Sequence, residues 1–353
     1  MYEGRKKRKL GFSLVEAMIV LLLSATLFAA TLSLFRPAAD LMVFSKQRGE
    51  MSLNTRAALN AITKELSVAG TGLPQGGIQL PDGDGLDGNP RFGCDSIHGP
   101  WLNSSAVFPN NRLYYVTPGH QSHDILQGQV NDSVTLAYRD QTYSLDQYPL
   151  VSISEDGTEI TVDSRTTPPI TNQATGIRAG DVLVFLNANG SAAGVVTEVG
   201  SSTEIHLKDQ DAINFNQPDA EFGNIKSLAN ADSPGDYPPT EAFRLNLVTY
   251  FLAVDSQLPD AIFLMRQVNT HPPVPIAEGI ERIRVTYDLF DDVSMIASAG
   301  LVAANGFPNQ IRKVNLSIWT RSPEESLFGR NHERQVVTTS VSARNLSFTD
   351  RYD

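Results

Sequence analysis

The sequence predicts an α+β protein in which one long N-terminal helix, half membrane-spanning and half amphipathic, packs on a large antiparallel β-sheet domain. Three observations carry that expectation. Residues 12–35 form an apolar run long enough to cross a bilayer, a helical stripe continues to about residue 69, and the rest breaks into short β-type runs separated by turn clusters.

The apolar run comes first. Phe12 to Phe35 is 24 residues, apolar or small apart from Glu16. At 1.5 Å per residue it extends roughly 36 Å, enough for a hydrocarbon core of about 30 Å with some tilt. Arg5, Lys6, Lys7, Arg8 and Lys9 stand directly before it, and Glu3 is the only acid in that leader. Such a basic cluster holds the N-terminus in the cytoplasm and sends everything after residue 36 outward. A secretory signal would be shorter in its apolar part and followed by a small-residue cleavage site, which is not the pattern here. A carboxylate near the start of a membrane helix costs a few kcal/mol, roughly, unless it is partnered. A plain signal anchor could tolerate Glu16 by letting it snorkel to the cytoplasmic surface. The alternative is an engagement with a second chain.

Beyond Pro37, the apolar or small positions Phe44, Met51, Ala58, Ile62 and Leu66 follow spacings of seven and four. Lys46, Arg48, Glu50, Arg56 and Lys64 surround them. The spacing predicts residues 37–69 as the amphipathic half of one helix, bent at Pro37 and ended by Gly70 and Gly72. An independent coiled coil is the competing reading.

Residues 70–111 and 216–242 are rich in Gly, Pro and Asp and read as loop. Strands are expected at 112–117, 133–139, 159–164, 181–187, 193–199 and 203–208. Longer ones are expected at 244–254, 261–268, 280–290, 311–321 and 334–348. The whole chain is 41% hydrophobic and 19% charged, ordinary for a folded protein, and the 70–353 part is long enough to bury ample core as one large or two small globular domains.

Charge narrows the function classes. The net charge is −11, and beyond residue 11 it falls to −15. A protein so acidic outside its leader is not expected to bind nucleic acid, which needs clustered Lys and Arg. The single cysteine, Cys94, rules out an intramolecular disulfide, so the exported part is held by its core.

Candidate chemistry is sparse. Asp82, Asp84 and Asp87, with Asn89 nearby, could ring a Ca²⁺ in an exposed loop. The twelfth position from Asp82 is Gly93 instead of the glutamate of an EF-hand, and Asp-Gly pairs also make ordinary turns. "GHQSHD" presents His120, His123 and Asp124, but a third metal ligand at recognisable spacing is missing and a surface loop between strands is expected. No other cofactor is implied, and the sequence contains no G-x-S-x-G, H-E-x-x-H or Walker loop. Cys94 lacks a pattern that would mark a nucleophile. An anchored periplasmic hydrolase therefore has no nucleophile-plus-base constellation to stand on. Trp101, Phe108, Tyr114 and Tyr115 are expected to fill core, with a partner-binding face as the alternative.

The basic leader followed by "GFSLVEAMIVLLL" resembles the class III signal of type IV pilins and type II secretion pseudopilins. That resemblance implies cleavage by prepilin peptidase between Gly11 and Phe12, N-methylation of Phe12, and an assembly ion pair in which Glu16 neutralises a neighbour's N-terminus. It divides the chain into a leader 1–11, a transmembrane and assembly helix 12–36, its amphipathic continuation 37–69 and a periplasmic or extracellular domain 70–353. The segments "NTRAALNAITKELSVAG", "GDVLVFLNANGSAAGVVTEV", "LVTYFLAVDSQLPDAIFLMRQV", "IAEGIERIRVTYDLFDD", "IRKVNLSIWTRSPEES" and "TTSVSARNLSF" resemble, in order, the PilW family of minor type IV pilins. That family is related to the minor pseudopilin J of type II secretion. The resemblance implies a pilin-like fold without enzymatic activity. It also implies an inner-membrane precursor, and as partners the other minor and major pilins, the prepilin peptidase and the inner-membrane assembly platform. Pilin domains often carry a disulfide near the C-terminus. This chain cannot.

Overall fold

The computed structural model describes residues 13–74, 76–81, 112–126, 129–255, 258–291, 294–301, 310–325, 332–343 and 345. The class is α+β: one long N-terminal helix, α1 (Leu14–Val68), followed by antiparallel sheets. The chain divides into two units, residues 1–50 with 322–333, and residues 51–321 with 334–353.

In the first unit, α1 continues through Pro37, whose missing N–H removes the bond that the Ser33 carbonyl would otherwise accept. Phe44 is partly exposed. In the same unit the His332 ring Nδ1 lies 2.8 Å from the Ser322 carbonyl, and the Glu333 N–H donates to Ser322 Oγ at 3.0 Å.

The second unit begins with the end of α1. Met51, Thr55, Ala58, Ile62 and Leu66 are buried at spacings of four, three, four and four, one face of a helix. Thr55, polar in that row, is satisfied by the Met51 carbonyl at 2.7 Å and the Thr320 hydroxyl at 3.0 Å. Gly70, at φ +80°, ends the helix. A Cβ there would also press on the Tyr115 ring at 3.0 Å. Its N–H donates to the Ala137 carbonyl at 2.8 Å, and Asn345 Nδ2 serves the Ser67 and Ala69 carbonyls at 3.3 and 3.2 Å. The orphan end of the helix is thereby closed.

Seventeen strands are present among the described residues. β1 (Ile78–Gln79) pairs with β2 (Arg112–Leu113). A seven-stranded sheet comprises β3 (Val116–Leu126), β4 (Gln129–Arg139), β7 (Val182–Asn187), β8 (Gly190–Val195), β11 (Glu241–Asp255), β12 (Leu258–Val268) and β13 (Val274–Glu278). Its main path is β13-β12-β11-β4-β3, and the β7–β8 hairpin joins through β11. A smaller sheet has the order β5 (Ser152–Ile153), β6 (Glu159–Thr161), β10 (Glu204–His206), β9 (Glu198–Val199). The last sheet runs β15 (Ile296–Leu301), β14 (Ile280–Asp291), β16 (Ile311–Glu325), β17 (His332–Ser342).

Two hydrophobic cores share the β7–β8 hairpin. Val182, Val184, Ala193 and Val195 face the main core with Ile62, Leu66, Leu136, Val248 and Val285, while Leu183, Phe185 and Ala192 face a second core with Ile160, Ile205 and Leu228. A strand covered on both faces must be apolar throughout, which is why 182–186 reads VLVFL without alternation.

Several expectations need correction. The run 112–117 is broken at Tyr114 and Tyr115 into β2 and the start of β3, because both rings are buried and the Gly77 N–H donates to the Tyr115 hydroxyl at 3.2 Å. The run 193–199 is broken after Val195, where the chain passes from the large sheet, Val195 opposite Val182, to the small one, Val199 opposite Ile205. His120, His123 and Asp124 stand inside β3 instead of in a loop, since that strand pairs with β4 as far as Leu126, with His123 opposite Asn131. Pairing overrides the weak β propensity of "GHQSHD". β1, β5, β13 and β15 are not expected from the sequence: β1 falls inside the 70–111 stretch read as loop and, like β5, is only two residues long, β13 contains Pro275, tolerated on an edge, and β15 is rich in small residues. The final strand ends at Ser342, short of the expected 348.

Candidate functional site

The helix α1 starts with an unburied apolar surface. Leu14, Met18, Leu21, Leu22, Phe28 and Phe35 are all more than 60% exposed, and the stretch most able to cross a membrane has no buried residue. Ser24, Thr26, Thr31 and Ser33 return their hydroxyls to helix carbonyls at 2.6–2.9 Å. Those four hydroxyls are satisfied inside the helix, as a lipid environment requires, and one charged group stands apart as the exception. The exception is Glu16, the one charged residue from Ser13 to Phe35, exposed in the first turn of the helix. Among the described residues it has no hydrogen-bond or ion-pair partner. Gly11 and Phe12, the expected cleavage and methylation positions, lie outside the described residues, as do Asp82, Asp84, Asp87, Cys94, Trp101 and Phe108. Tyr114 and Tyr115 are buried core residues.

Further along, the helix carries another carboxylate, Glu65, that its sequence neighbourhood does not single out. Glu65 accepts from the Arg266 guanidinium at 2.5 and 3.0 Å, from the Tyr250 hydroxyl at 2.7 Å and from the Tyr138 hydroxyl at 3.2 Å. Tyr138, Tyr250 and Arg266 come from β4, β11 and β12, so one side chain fastens α1 to three adjacent strands. Burial and the Glu65 charge push the Tyr138 phenol up to about 12, although Arg266 opposes them; the Tyr250 phenol is raised further for the same reasons. Both phenols therefore stay protonated as donors. The available signal was the lone arginine interrupting the apolar strand "AIFLMRQV".

A second polar cluster ties the sheet ends together. Arg244 Nε donates to Asp140 at 2.6 Å, and its Nη1 reaches the Gly176 carbonyl at 2.8 Å and Asp181 at 3.4 Å. His271 Nε2 lies 2.8 Å from the other Asp181 oxygen. Burial alone would raise the Asp140 carboxyl, but hydrogen bonds from Thr142 and Arg244 outweigh it and hold the group below the usual carboxylate range. The cluster ties together strand ends, and among the described residues its imidazole–carboxylate pair has no hydroxyl or thiol nucleophile bonded to it. Among the described residues, no group of three or more His, Cys, Asp or Glu is placed to hold a metal.

The start of α1 is left as the candidate site that the sequence singled out. There the comparisons with known proteins agree with the geometry. Residues 6–32 match the prokaryotic N-terminal methylation motif. Neither a curated protein nor a solved structure matches the chain. The motif supports a pilin- or pseudopilin-type protein, and the helix-then-sheet order is a pilin-like layout. Such a signal implies processing by prepilin peptidase and is consistent with an inner-membrane-anchored precursor.

Proposed function

We propose that the chain is a minor type IV pilin of the PilW kind, a structural and non-catalytic subunit that primes or caps pilus assembly after cleavage between Gly11 and Phe12. The observation that carries this reading is Glu16, the one charge on an unburied apolar helix inside the methylation motif and without a partner among the described residues. Cleavage would leave Phe12 with a methylated amine, a cation four residues before Glu16. In a low-dielectric environment an amine and a carboxylate from different subunits attract far more strongly than in water. Extraction from the bilayer exchanges lipid contacts for helix–helix contacts, and the ion pair lowers the cost of carrying both charges along.

The test has two arms. Mass spectrometry of the protein co-expressed with prepilin peptidase should find an N-methylated Phe12 terminus, and a bulky residue at Gly11 should leave the precursor uncut. Glu16→Ala should insert into the membrane normally and enter filaments poorly; normal incorporation would sink the ion-pair role. The same anchor would serve a type II secretion pseudopilin. Capture of cross-linked pilus subunits rather than secretion components is the outcome expected here.

A further inference from the structure

The outward face of the β15-β14-β16-β17 sheet gathers basic side chains in a strongly acidic molecule. In β14 and β16, register places Arg282 opposite Trp319, Arg284 opposite Ser317 and Asp288 opposite Lys313. The intervening pairs, Ile283 with Ile318, Val285 with Leu316 and Tyr287 with Val314, are buried in the core. Alternation therefore turns Arg282, Arg284, Lys313, Trp319 and Arg321 away from the core. β17 continues the face, because Thr338 reaches Ser317 at 3.0 Å and Ser340 reaches Asn315 at 2.7 Å. Asp288 lies 3.6 Å from Lys313, and Glu281 holds Arg334 at 2.8 Å. Arg284 is exposed and has no ion-pair partner among the described residues. Arg282 stacks its guanidinium 5.2 Å from the centre of the Trp319 ring, and its buried Nε has no hydrogen-bond partner. Arg282 and Trp319 are half-buried beside the exposed Arg284, and arginine and tryptophan are residue types enriched in protein interfaces.

The same chain supplies the complementary surface. Residues 140–240 contain fifteen Asp and Glu against four Lys and Arg. Of these Glu155, Asp156, Asp209, Asp219, Glu221, Asp232 and Asp236 are exposed. We infer that the Arg282–Arg284–Trp319 face docks onto the acidic 140–240 surface of a second copy of this chain, a head-to-tail contact within the priming oligomer. The inference rests on the reading of the chain as an assembly subunit. A contact between two different patches does not close on itself as a twofold dimer does, which suits a growing assembly. From strand spacing and rise the face measures roughly 15 by 30 Å, less than the ~800 Å² that each partner gives to a standard interface. Association is accordingly weak and sensitive to salt.

The experiment uses full-length, peptidase-processed protein in zwitterionic detergent, with self-association measured by analytical ultracentrifugation and cross-linking at low and high salt. Association at low salt should be lost near ~1 M salt, where the screening length is roughly 3 Å. Arg284→Glu should weaken it by about tenfold or more while leaving the thermal midpoint unchanged. Arg282→Gln serves as the milder second variant. A copy carrying Glu155→Lys and Asp232→Lys should bind the Arg284→Glu copy better than it binds itself. Association that ignores both salt and these charges overturns the inference, as does binding to polyphosphate or anionic vesicles with no copy-to-copy contact. The N-terminus of the same preparation is identified by mass. A methylated Phe12 with charge-independent association defeats the docking contact alone, whereas an unprocessed terminus defeats the pilin reading.

Discussion

Glu65 of α1 and Arg266 of β12 meet at 2.5 Å, with side chains only 13% and 29% exposed. The pair is completed by two tyrosine hydroxyls on the intervening strands. Removing one member strands the other charge out of water. Glu65→Gln should therefore destabilise the protein by about 3–5 kcal/mol, whereas Glu65→Leu combined with Arg266→Met should recover much of the loss. Urea unfolding of the single and double variants measures both; equal loss in the double variant would mean that packing, not charge, is what Glu65 provides.

Alkaline pH gives an independent test of the same cluster. In the unfolded chain Tyr138 ionises near 10, while in the folded protein it holds its proton to about 12. Above pH 10 the unfolded state has released a proton that the native state retains, so stability falls as pH rises through that window. Absorbance of tyrosinate should show a phenol that titrates only near unfolding, and Tyr138→Phe should flatten the loss of stability between pH 10 and 12.

Acid acts on the other cluster with the opposite sign. The Asp140 carboxyl sits below its ordinary 3.8 in the native state. Its contribution is present above that value and is lost as pH falls through the lower native one. Asp140→Asn should cost about 1.5–3 kcal/mol at pH 7, the range for hydrogen bonds to a charged group, and the deficit should shrink on acidification below pH 4. Equilibrium unfolding of the two proteins at pH 7 and pH 3 decides it.

The end of the helix gives a backbone prediction. Gly70→Ala places a Cβ 3.0 Å from the Tyr115 ring at a φ of +80°, so it should destabilise by more than about 1 kcal/mol. Gly49→Ala, which meets nothing within 4 Å on a helical backbone, should be neutral or stabilising by up to about 1 kcal/mol. Comparison of the two thermal midpoints checks the contrast.

Periodicity made the helix and most longer strands readable in advance. Met51, Ala58, Ile62 and Leu66 fall on the buried face that their spacing predicted. Glu16 was legible because a charge inside an apolar run has no local explanation. The sequence did not reveal which polar residues would meet across the fold: Glu65 and Arg266 are 201 positions apart, and Asp140 and Arg244 are 104 apart. Nor could it show that one continuous apolar strand would serve two cores, since a run such as 182–186 fits any element buried on every side. β13 was hidden by Pro275 and β15 by its small residues, both permissible because these strands pair on one side only.

The doubly covered β7–β8 hairpin has a thermodynamic corollary. Because Val184 and Phe185, neighbours in sequence, anchor opposite interiors, neither interior can melt while the other keeps its wall. Calorimetry should therefore record a single heat-absorption peak for the region spanning both, with equal van't Hoff and calorimetric enthalpies.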